Sequence, residues 1–248
     1  MGRKKKKGEI NIPRKILEYY NSNLYIENAA KCAKKRHFKE LNKIKKWLKF
    51  NKDWKTLEIG CGKGILRNAL PNWHGLDISK KALAKIPKKF TTICASAENI
   101  PLKNESFDLV VMFDIIEHSQ NPKMALDEAI RVLKPRGCLV IRSPQLVWSL
   151  RRLKSLKAPI ILTVELGQRF IDEIKFLFGR KIKFRFLKNN PDFSRIGADW
   201  DATYLFSPHN VLFFLKSNNM KCLNERGFPF RLGIDATHKK IMVFQKEK

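Results

Sequence analysis

The chain has 248 residues, of which 44% are hydrophobic, and this predicts one main domain with a sizeable core. Its 51 Lys and Arg against 23 Asp and Glu give a formal net charge of +28, which favours a polyanionic partner, although an AT-rich genome imposes a similar bias. No apolar stretch approaches the roughly 20 residues that span a bilayer, and five scattered cysteines argue against a zinc site or a disulfide framework. Cys94, Cys138 and Cys222 lie in apolar runs that predict strands, where a thiol usually acts as a small hydrophobe. We expect a cytoplasmic protein without a bound metal.

The N-terminal region predicts a basic arm followed by a helical cover. Residues 1–12 carry no hydrophobic periodicity and are expected to be disordered. Pro13 can open a short helix that ends at Tyr20, and a longer helix is predicted over 28–50. That helix has one apolar face, formed by Ala30, Ala33, His37, Leu41, Ile44 and Leu48. The position of His37 on this face favours a packed core residue.

Short apolar runs alternate with helical segments from Lys55 onwards, which is typical of a mostly parallel sheet with helices on both faces. The predicted strands are 55–60, 72–77, 90–94, 107–113, 137–142, 220–226 and 240–245. The predicted helices start near Gly64, near Ser79, at Pro122 with Asn121 as N-cap, and after Ser207-Pro208, where the helix runs to about Asn218. The cofactor-binding core is therefore assigned to residues 51–142 and 207–248.

An insertion interrupts this alternation at residues 143–206. Leucines at 146, 150, 153 and 156 share a helical face, and cations at 151, 152, 154 and 157 cover the other sides, which predicts a basic amphipathic helix. Residues 181–186 alternate basic and apolar side chains, as a strand would. The excess charge is concentrated here and at the N-terminus, with net +9 over residues 142–195 and net +12 over residues 1–50.

The strongest chemical signal is the segment 57–64, which reads LEIGCGKG. Glycines allow a sharp turn and a close ligand approach, and the start of a helix offers free N–H groups. The G-x-G-x-G spacing differs from the G-x-G-x-x-G of dinucleotide folds. Asp77 ends the second predicted strand, one βαβ unit later, where a carboxylate can accept both hydroxyls of a ribose.

Further segments follow in a fixed order: SAENIP at 96–101, FDLV at 107–110, EH at 117–118 and RVLKPRG at 131–137. Together with the glycine turn and Asp77, they resemble the class I S-adenosylmethionine-dependent methyltransferases of the quinone-biosynthesis-like type 11 group. The match is strong over 55–142 and weak over 207–245. The resemblance implies a Rossmann-like α/β fold with a seven-stranded, mostly parallel sheet, and S-adenosyl-L-methionine as cofactor.

The resemblance also implies roles for individual residues. Glu58 and the glycine turn would hold the methionine end of the cofactor, Asp77 its ribose, Ala97 and Glu98 its adenine, and Asp114 would lie near the sulfonium. The full implied set is Glu58, Gly60, Cys61, Gly62, Gly64, Asp77, Ile78, Ser96, Ala97, Glu98 and Asp114. Such families usually have an acid where this chain has Ser96, so the hydrogen bond to the adenine amino group would be weaker or differently supplied.

The catalytic residue is open at this point. The sulfonium already activates the methyl group, so the protein must align the acceptor and, where needed, remove a proton. His118 is the one candidate for a base, although a structural histidine of the Glu-His pair is the interpretation that the resemblance favours. Asp114 and Glu117 could instead be a helix cap and a surface acid. Asp199, Asp201 and Tyr204 end the insertion and are expected to face the acceptor.

Three hypotheses describe the acceptor. Both basic segments occur where class I enzymes build the acceptor site, which favours an anionic small molecule or a lipid-linked acceptor reached through peripheral membrane contact. The second hypothesis is an RNA methyltransferase whose cations neutralise phosphates. The third is a non-catalytic subunit that binds the cofactor and supports a partner. No Asn-Pro-Pro-Tyr-like or Pro-Cys segment follows the fourth strand, which disfavours methylation of base amino groups and of cytosine carbon.

Overall fold

The computed structural model describes residues 12–144, 167–168, 170–172, 174–188, 191–194, 201–205, 207–223 and 239–247. The basic arm up to residue 11 and the amphipathic helix predicted near 146–157 lie outside these ranges. Within them, no helix combines the length and the apolar character that crossing a bilayer requires.

Seven strands form one sheet, which confirms the predicted Rossmann-like α/β fold. The strands of the structure are β1 Thr56–Ile59, β2 Trp73–Asp77, β3 Thr91–Cys94, β4 Phe107–Phe113, β5 Leu133–Pro144, β6 Leu187–Lys188, β7 Tyr204–Leu205, β8 Met220–Cys222 and β9 Lys239–Lys246. The order across the sheet is β3-β2-β1-β4-β5-β9-β8, with β6 and β7 paired separately. The first five strands are parallel, and β9 is antiparallel to both β5 and β8. From β1 the chain first adds strands on one side, β2 and β3, and then on the other, β4 and β5. This switch between β1 and β4 places a crevice at the carboxyl ends of these two strands.

Helices cover both faces of this sheet. They are α1 Arg14–Tyr20, α2 Asn23–Leu48, α3 Lys80–Leu83, α4 Pro122–Val132 and α5 Pro208–Lys216. As predicted, the Asn121 side chain caps α4 by accepting from the N–H of Met124 at 3.2 Å. The long helix α2 begins five residues earlier than predicted, because the Ser22 hydroxyl caps it by accepting from the N–H of Tyr25 at 3.1 Å.

The core divides into two apolar layers. On one face of the sheet, α4 and α5 bury Leu126 and Val211 against the strands. On the other face, α2 buries Leu41 and Ile44, as the predicted apolar stripe requires. The loops that follow the parallel strands meet at the carboxyl ends of these strands.

The prediction of a helix that starts near Gly64 is wrong. Residues 62–69 form a succession of turns instead. Gly64 has a left-handed φ of +67°, and the N–H groups of Arg67 and Ala69 bond to carbonyls three residues back, at Gly64 and Leu66. This pattern is not the i to i−4 ladder of an α-helix.

Two smaller predictions also need correction. Residues 181–186 form no strand, although Ile182 is buried and Lys181 and Lys183 are exposed as the alternation required. Cys94 was expected to be a small buried hydrophobe, but its side chain is exposed, because β3 is the outermost strand at its end of the sheet. Cys138 and Cys222 are buried as expected.

Candidate functional site

A cavity of about 240 Å³ opens where the loops after β1 to β4 meet. All predicted cofactor residues except Gly64 line it, as do His118 and Asp201. The N-terminal cover closes the opposite side with Ile16, Tyr20 and Ile26. Residues distant in sequence are therefore brought together around one space, as the motif order predicted.

The glycine turn forms the floor of the cavity. Gly60 and Gly62 have φ values of +72° and +53°. The N–H groups of Gly60 and Cys61 donate to the carbonyl of Leu76 at 2.7 and 3.0 Å, and the N–H of Gly62 donates to Asp77 at 2.8 Å. Because these N–H groups already have acceptors and no helix follows, the turn is not a phosphate cradle.

Gly60 is expected to tolerate no side chain. A Cβ at this position would overlap Ile115, whereas a Cβ at Gly62 would meet no atom within 4 Å. We expect Gly60→Ala to lower the free energy of unfolding by on the order of 2 to 5 kcal/mol, through left-handed strain and overpacking. Gly62→Ala carries the strain alone and should lose about 1 kcal/mol. Urea denaturation measures both, and equal losses would contradict the assigned overlap.

Asp77 connects the second strand to the glycine turn. Its carboxylate accepts from the N–H of Ser79 at 2.8 Å and from that of Gly62 at 2.8 Å. Burial raises its pKa, and these two hydrogen bonds oppose the rise. The carboxylate is thus held in a fixed position at the cavity wall, where the resemblance places the ribose hydroxyls.

Glu58 is a buried acid directly below the same turn. Its carboxylate accepts from Nε1 of Trp73 at 2.6 Å. Burial raises the pKa of Glu58 to about 8; the bond from Trp73 lowers it, and the charge of Asp77 raises it further. A cation that approached this carboxylate would favour its ionised form.

Ser96 and Glu98 interact with each other at the end expected to hold adenine. The Ser96 hydroxyl donates to the Glu98 carboxylate, whose other oxygen accepts from the N–H of Gln120 at 2.6 Å. Glu98 therefore fixes the loop before α4 as well as lining the cavity. Whether it also contacts adenine stays a prediction, as does the role of Ala97.

Asp114 belongs to a buried ionic cluster beside the cavity. Its carboxylate pairs with the guanidinium of Arg142 and lies 3.2 Å from Nε2 of His37. Arg142 is only 1% exposed and also pairs with Glu40 of α2. Since Arg142 already compensates the charge of Asp114, this acid is less available to a sulfonium than the sequence suggested. His37 is buried as predicted, but it lines the cavity.

A second polar group lies where the end of the insertion meets the cavity. Nδ1 of His118 is 3.3 Å from Oδ2 of Asp201, and the Tyr20 hydroxyl donates to the same oxygen at 3.2 Å. Burial raises the pKa of Tyr20 well above its usual value, so this hydroxyl stays a neutral donor. All three residues line the cavity.

Asp201 and Tyr204 hold the end of the insertion against this group. The Tyr204 hydroxyl donates to the carbonyl of Gln120 at 3.0 Å, and the N–H groups of Thr203 and Tyr204 donate to the carbonyl of Glu117 at 2.9 and 3.0 Å. Asp201 lines the cavity, whereas Asp199 lies outside the described residues. That Asp201 faces the acceptor stays a prediction.

The cover is tied to the glycine turn by charge. Glu27 of α2 pairs with Lys63 at 2.6 Å and with Lys85 at 2.7 Å. Hydrogen bonds from these two lysines lower the pKa of Glu27 to about 2. Lys63 is the single lysine among the described residues of the cavity wall, and its charge is already matched.

Comparison with known proteins agrees with these motifs. Residues 57–141 match the type 11 family described as a methyltransferase domain. An uncharacterized protein of Methanocaldococcus jannaschii is 34% identical over 119 residues, which cover 47% of this chain and 52% of that protein. The 2-methoxy-6-polyprenyl-1,4-benzoquinol methylase of Caenorhabditis elegans is 37% identical over 70 residues, which cover 27% of this chain and 25% of the methylase. The matches thus span about half or less of these relatives.

Solved structures share the fold over most of the chain. A Thermotoga maritima S-adenosylmethionine-dependent methyltransferase has a TM-score of 0.55 at 17% identity, over 94% of this chain and all of that one. A Pyrococcus horikoshii protein has a TM-score of 0.52 at 18% identity, over 92% of this chain and 93% of its own. The likeness therefore includes the N-terminal cover as well as the sheet.

Proposed function

Since residues 57–141 form a class I S-adenosylmethionine-dependent methyltransferase domain of the type 11 family, we propose that the chain methylates an uncharged, largely apolar acceptor whose proton is removed by His118. The observation that carries this proposal is one cavity that contains both the cofactor motifs and the group formed by His118, Asp201 and Tyr20.

The cavity fits the cofactor chemically. S-adenosylmethionine has no phosphate, and the glycine turn offers no phosphate cradle. It has a ribose and a cationic amino-acid end, and the wall presents two acids, the buried Glu58 and the partly exposed Asp77. When bound, the cofactor supplies an electrophilic methyl group, so the chain needs only to hold the acceptor in line and accept its proton.

His118 is suited to accept that proton. With a proton on Nδ1 facing Asp201, the basic lone pair is on Nε2. The carboxylate of Asp201 stabilises the imidazolium that forms, and the Tyr20 hydroxyl fixes the carboxylate. This arrangement indicates an acceptor with an O–H or N–H group, and it supports an enzyme over a non-catalytic subunit.

The walls of the cavity favour an apolar acceptor. The N-terminal cover contributes Ile16, Tyr25 and Ile26 to the lining, and Ile12 lines it just before the cover. The one lysine among the described lining residues is paired with Glu27. A phosphate-rich acceptor would gain little in such a space. The anion predicted from the net charge therefore belongs outside the cavity, and a ring or hydroxyl of a lipid-like acceptor fits better than a nucleotide.

Transfer of label from S-[methyl-³H]-adenosylmethionine tests this proposal. The pure protein is incubated separately with total lipid extract, with the water-soluble small molecules and with total RNA of the source cells. We expect tritium in the organic phase of the lipid sample. Label in RNA alone would contradict the apolar acceptor, and no label in any fraction would contradict the enzyme.

A further inference from the structure

The insertion presents an apolar helical face to solvent. Residues 170–172 and 174–177 are helical, and five large apolar side chains of this segment are exposed. They are Phe170 (66%), Ile171 (44%), Ile174 (39%), Leu177 (81%) and Phe178 (77%). Their spacing of one, four, seven and eight places them within one helical arc. We call these five residues the exposed apolar face.

The opposite side of the same helix is fixed to the domain. Asp172 is 1% exposed; it pairs with Arg185 at 2.9 Å and accepts from Asn210 of α5 at 3.2 Å. Phe176 packs edge-on against Phe213 of α5, with 5.4 Å between the ring centroids. The segment is therefore anchored by its buried side, so the exposed apolar face is a surface of the folded protein.

Cations predominate in the part of the chain that follows Glu173. Residues 174–188 contain six Lys and Arg and no Asp or Glu. Of these, Lys175, Arg180, Lys181, Lys183 and Lys188 are exposed. A large apolar patch in a segment with several exposed cations matches the interface of an anionic bilayer, where acyl chains receive the apolar groups and headgroups neutralise the charge.

From these contacts we propose that the exposed apolar face docks the protein on an anionic lipid surface. RNA is a weaker fit, because Ile171, Ile174 and Leu177 gain nothing from phosphates or stacked bases. A second copy of the chain is also a weaker fit, because two such faces would bring their cations together. Docking needs neither cofactor nor acceptor and so does not depend on the proposed function.

A second part of the insertion, outside the exposed apolar face, connects to the cavity wall. Exposed Phe186 packs against Tyr204 with 4.6 Å between the ring centroids. The Tyr204 hydroxyl donates to the carbonyl of Gln120, a residue of the cavity wall. A lipid surface that also covered Phe186 would present its components near the cavity, a consequence that does rest on the proposed function.

Sedimentation of the full chain with vesicles tests the docking. The vesicles are phosphatidylcholine alone or phosphatidylcholine with phosphatidylglycerol. We expect binding to the anionic vesicles, and a loss of at least about tenfold in the double variant Leu177→Ser, Phe178→Ser. Leu24→Ser is the matched control, because Leu24 is also an exposed leucine (65%) but lies on α2; it should bind as the wild type does.

A charge pair tests the cations separately. Lys181→Glu with Lys183→Glu should weaken binding to anionic vesicles by at least about fivefold per cation. Lys52→Glu with Lys88→Glu changes two exposed lysines elsewhere by the same charge and should have a smaller effect. As controls, thermal unfolding tests whether each variant is folded, and S-adenosylmethionine calorimetry tests whether its cofactor site is intact.

Three results would overturn the proposal. The first is unchanged vesicle binding in the Leu177/Phe178 variant. The second is a dimer of the wild type that this variant converts to a monomer, since a second copy would then cover the face. The third is salt-dependent RNA binding that the variant abolishes while no form binds vesicles. If the wild type binds no S-adenosylmethionine, the proposed function is overturned, but the vesicle experiment still tests the docking.

Discussion

Replacing His118 with Gln should slow methyl transfer by roughly 100- to 10,000-fold, the usual range for a general base, and change cofactor affinity less than about twofold. The reason is geometric: Nδ1 of His118 lies 3.3 Å from the carboxylate of Asp201, at the end of the insertion. The predicted cofactor acids Asp77 and Glu58 instead accept from the glycine turn and from Trp73. The measurement is the rate of tritium transfer into the lipid fraction together with cofactor calorimetry on the same protein.

Asp201→Asn separates a base from a histidine that merely packs. The amide introduced by this change keeps the size of the side chain and can still accept from the Tyr20 hydroxyl, but it no longer stabilises an imidazolium. We therefore expect slower methyl transfer, because the amide no longer compensates the charge that the imidazolium acquires. Tyr20→Phe should give a smaller loss. If His118→Gln transfers methyl groups at the rate of the wild type, His118 is not the base.

Local sequence was sufficient for the floor of the site. The left-handed Gly60 and Gly62 and the strand-end Asp77 lie where the motifs predicted, because the backbone conformation of a tight turn is set within a few residues. The helix predicted at Gly64 failed for a related reason. The pattern of alternate glycines was interpreted as a turn with a helix behind it, but Gly64 is itself left-handed, so the chain continues as turns.

The polar groups of the site could not be derived in the same way. Arg142 is fully buried and joins Asp114 to Glu40, so residues more than a hundred positions apart in sequence share one cluster. Pairing of this kind depends on strand order and on where α2 lies over the sheet. One signal was present: Arg142 follows the apolar run of β5, and a cation at the end of a buried strand needs an anionic partner.

The role of Tyr20 was not predicted from the sequence. It ends a short N-terminal helix that the sequence treated only as a cover, yet its hydroxyl reaches Asp201 at 3.2 Å. The cover is therefore part of the candidate active site, and we expect it to contribute to acceptor choice. The insertion also contributes to two features: Asp201 lines the cavity, and the exposed apolar face lies within residues 170–178.

The titration of Glu58 should make both stability and cofactor affinity depend on pH. The folded protein raises the pKa of Glu58 from 4.5 to about 8 by burial. Because the folded state then binds more protons than the unfolded state between these values, the contribution is fully present below pH 4.5 and is lost as pH rises through about 8. The slope is at most about 1.4 kcal/mol per pH unit. Glu58→Gln, which still accepts from Trp73, should remove this slope in urea denaturation.

Cofactor affinity should change with pH in the opposite direction. If Glu58 holds the α-ammonium group of S-adenosylmethionine, binding requires the ionised carboxylate and releases a proton. The affinity of the wild type should then rise by up to about tenfold per pH unit between about pH 5.5 and 7.5, while that of Glu58→Gln should be weaker and nearly constant. Calorimetry in two buffers of different ionisation enthalpy counts the released proton. A wild-type affinity that stays constant over this range, with no proton released, would place the ammonium group elsewhere in the cavity.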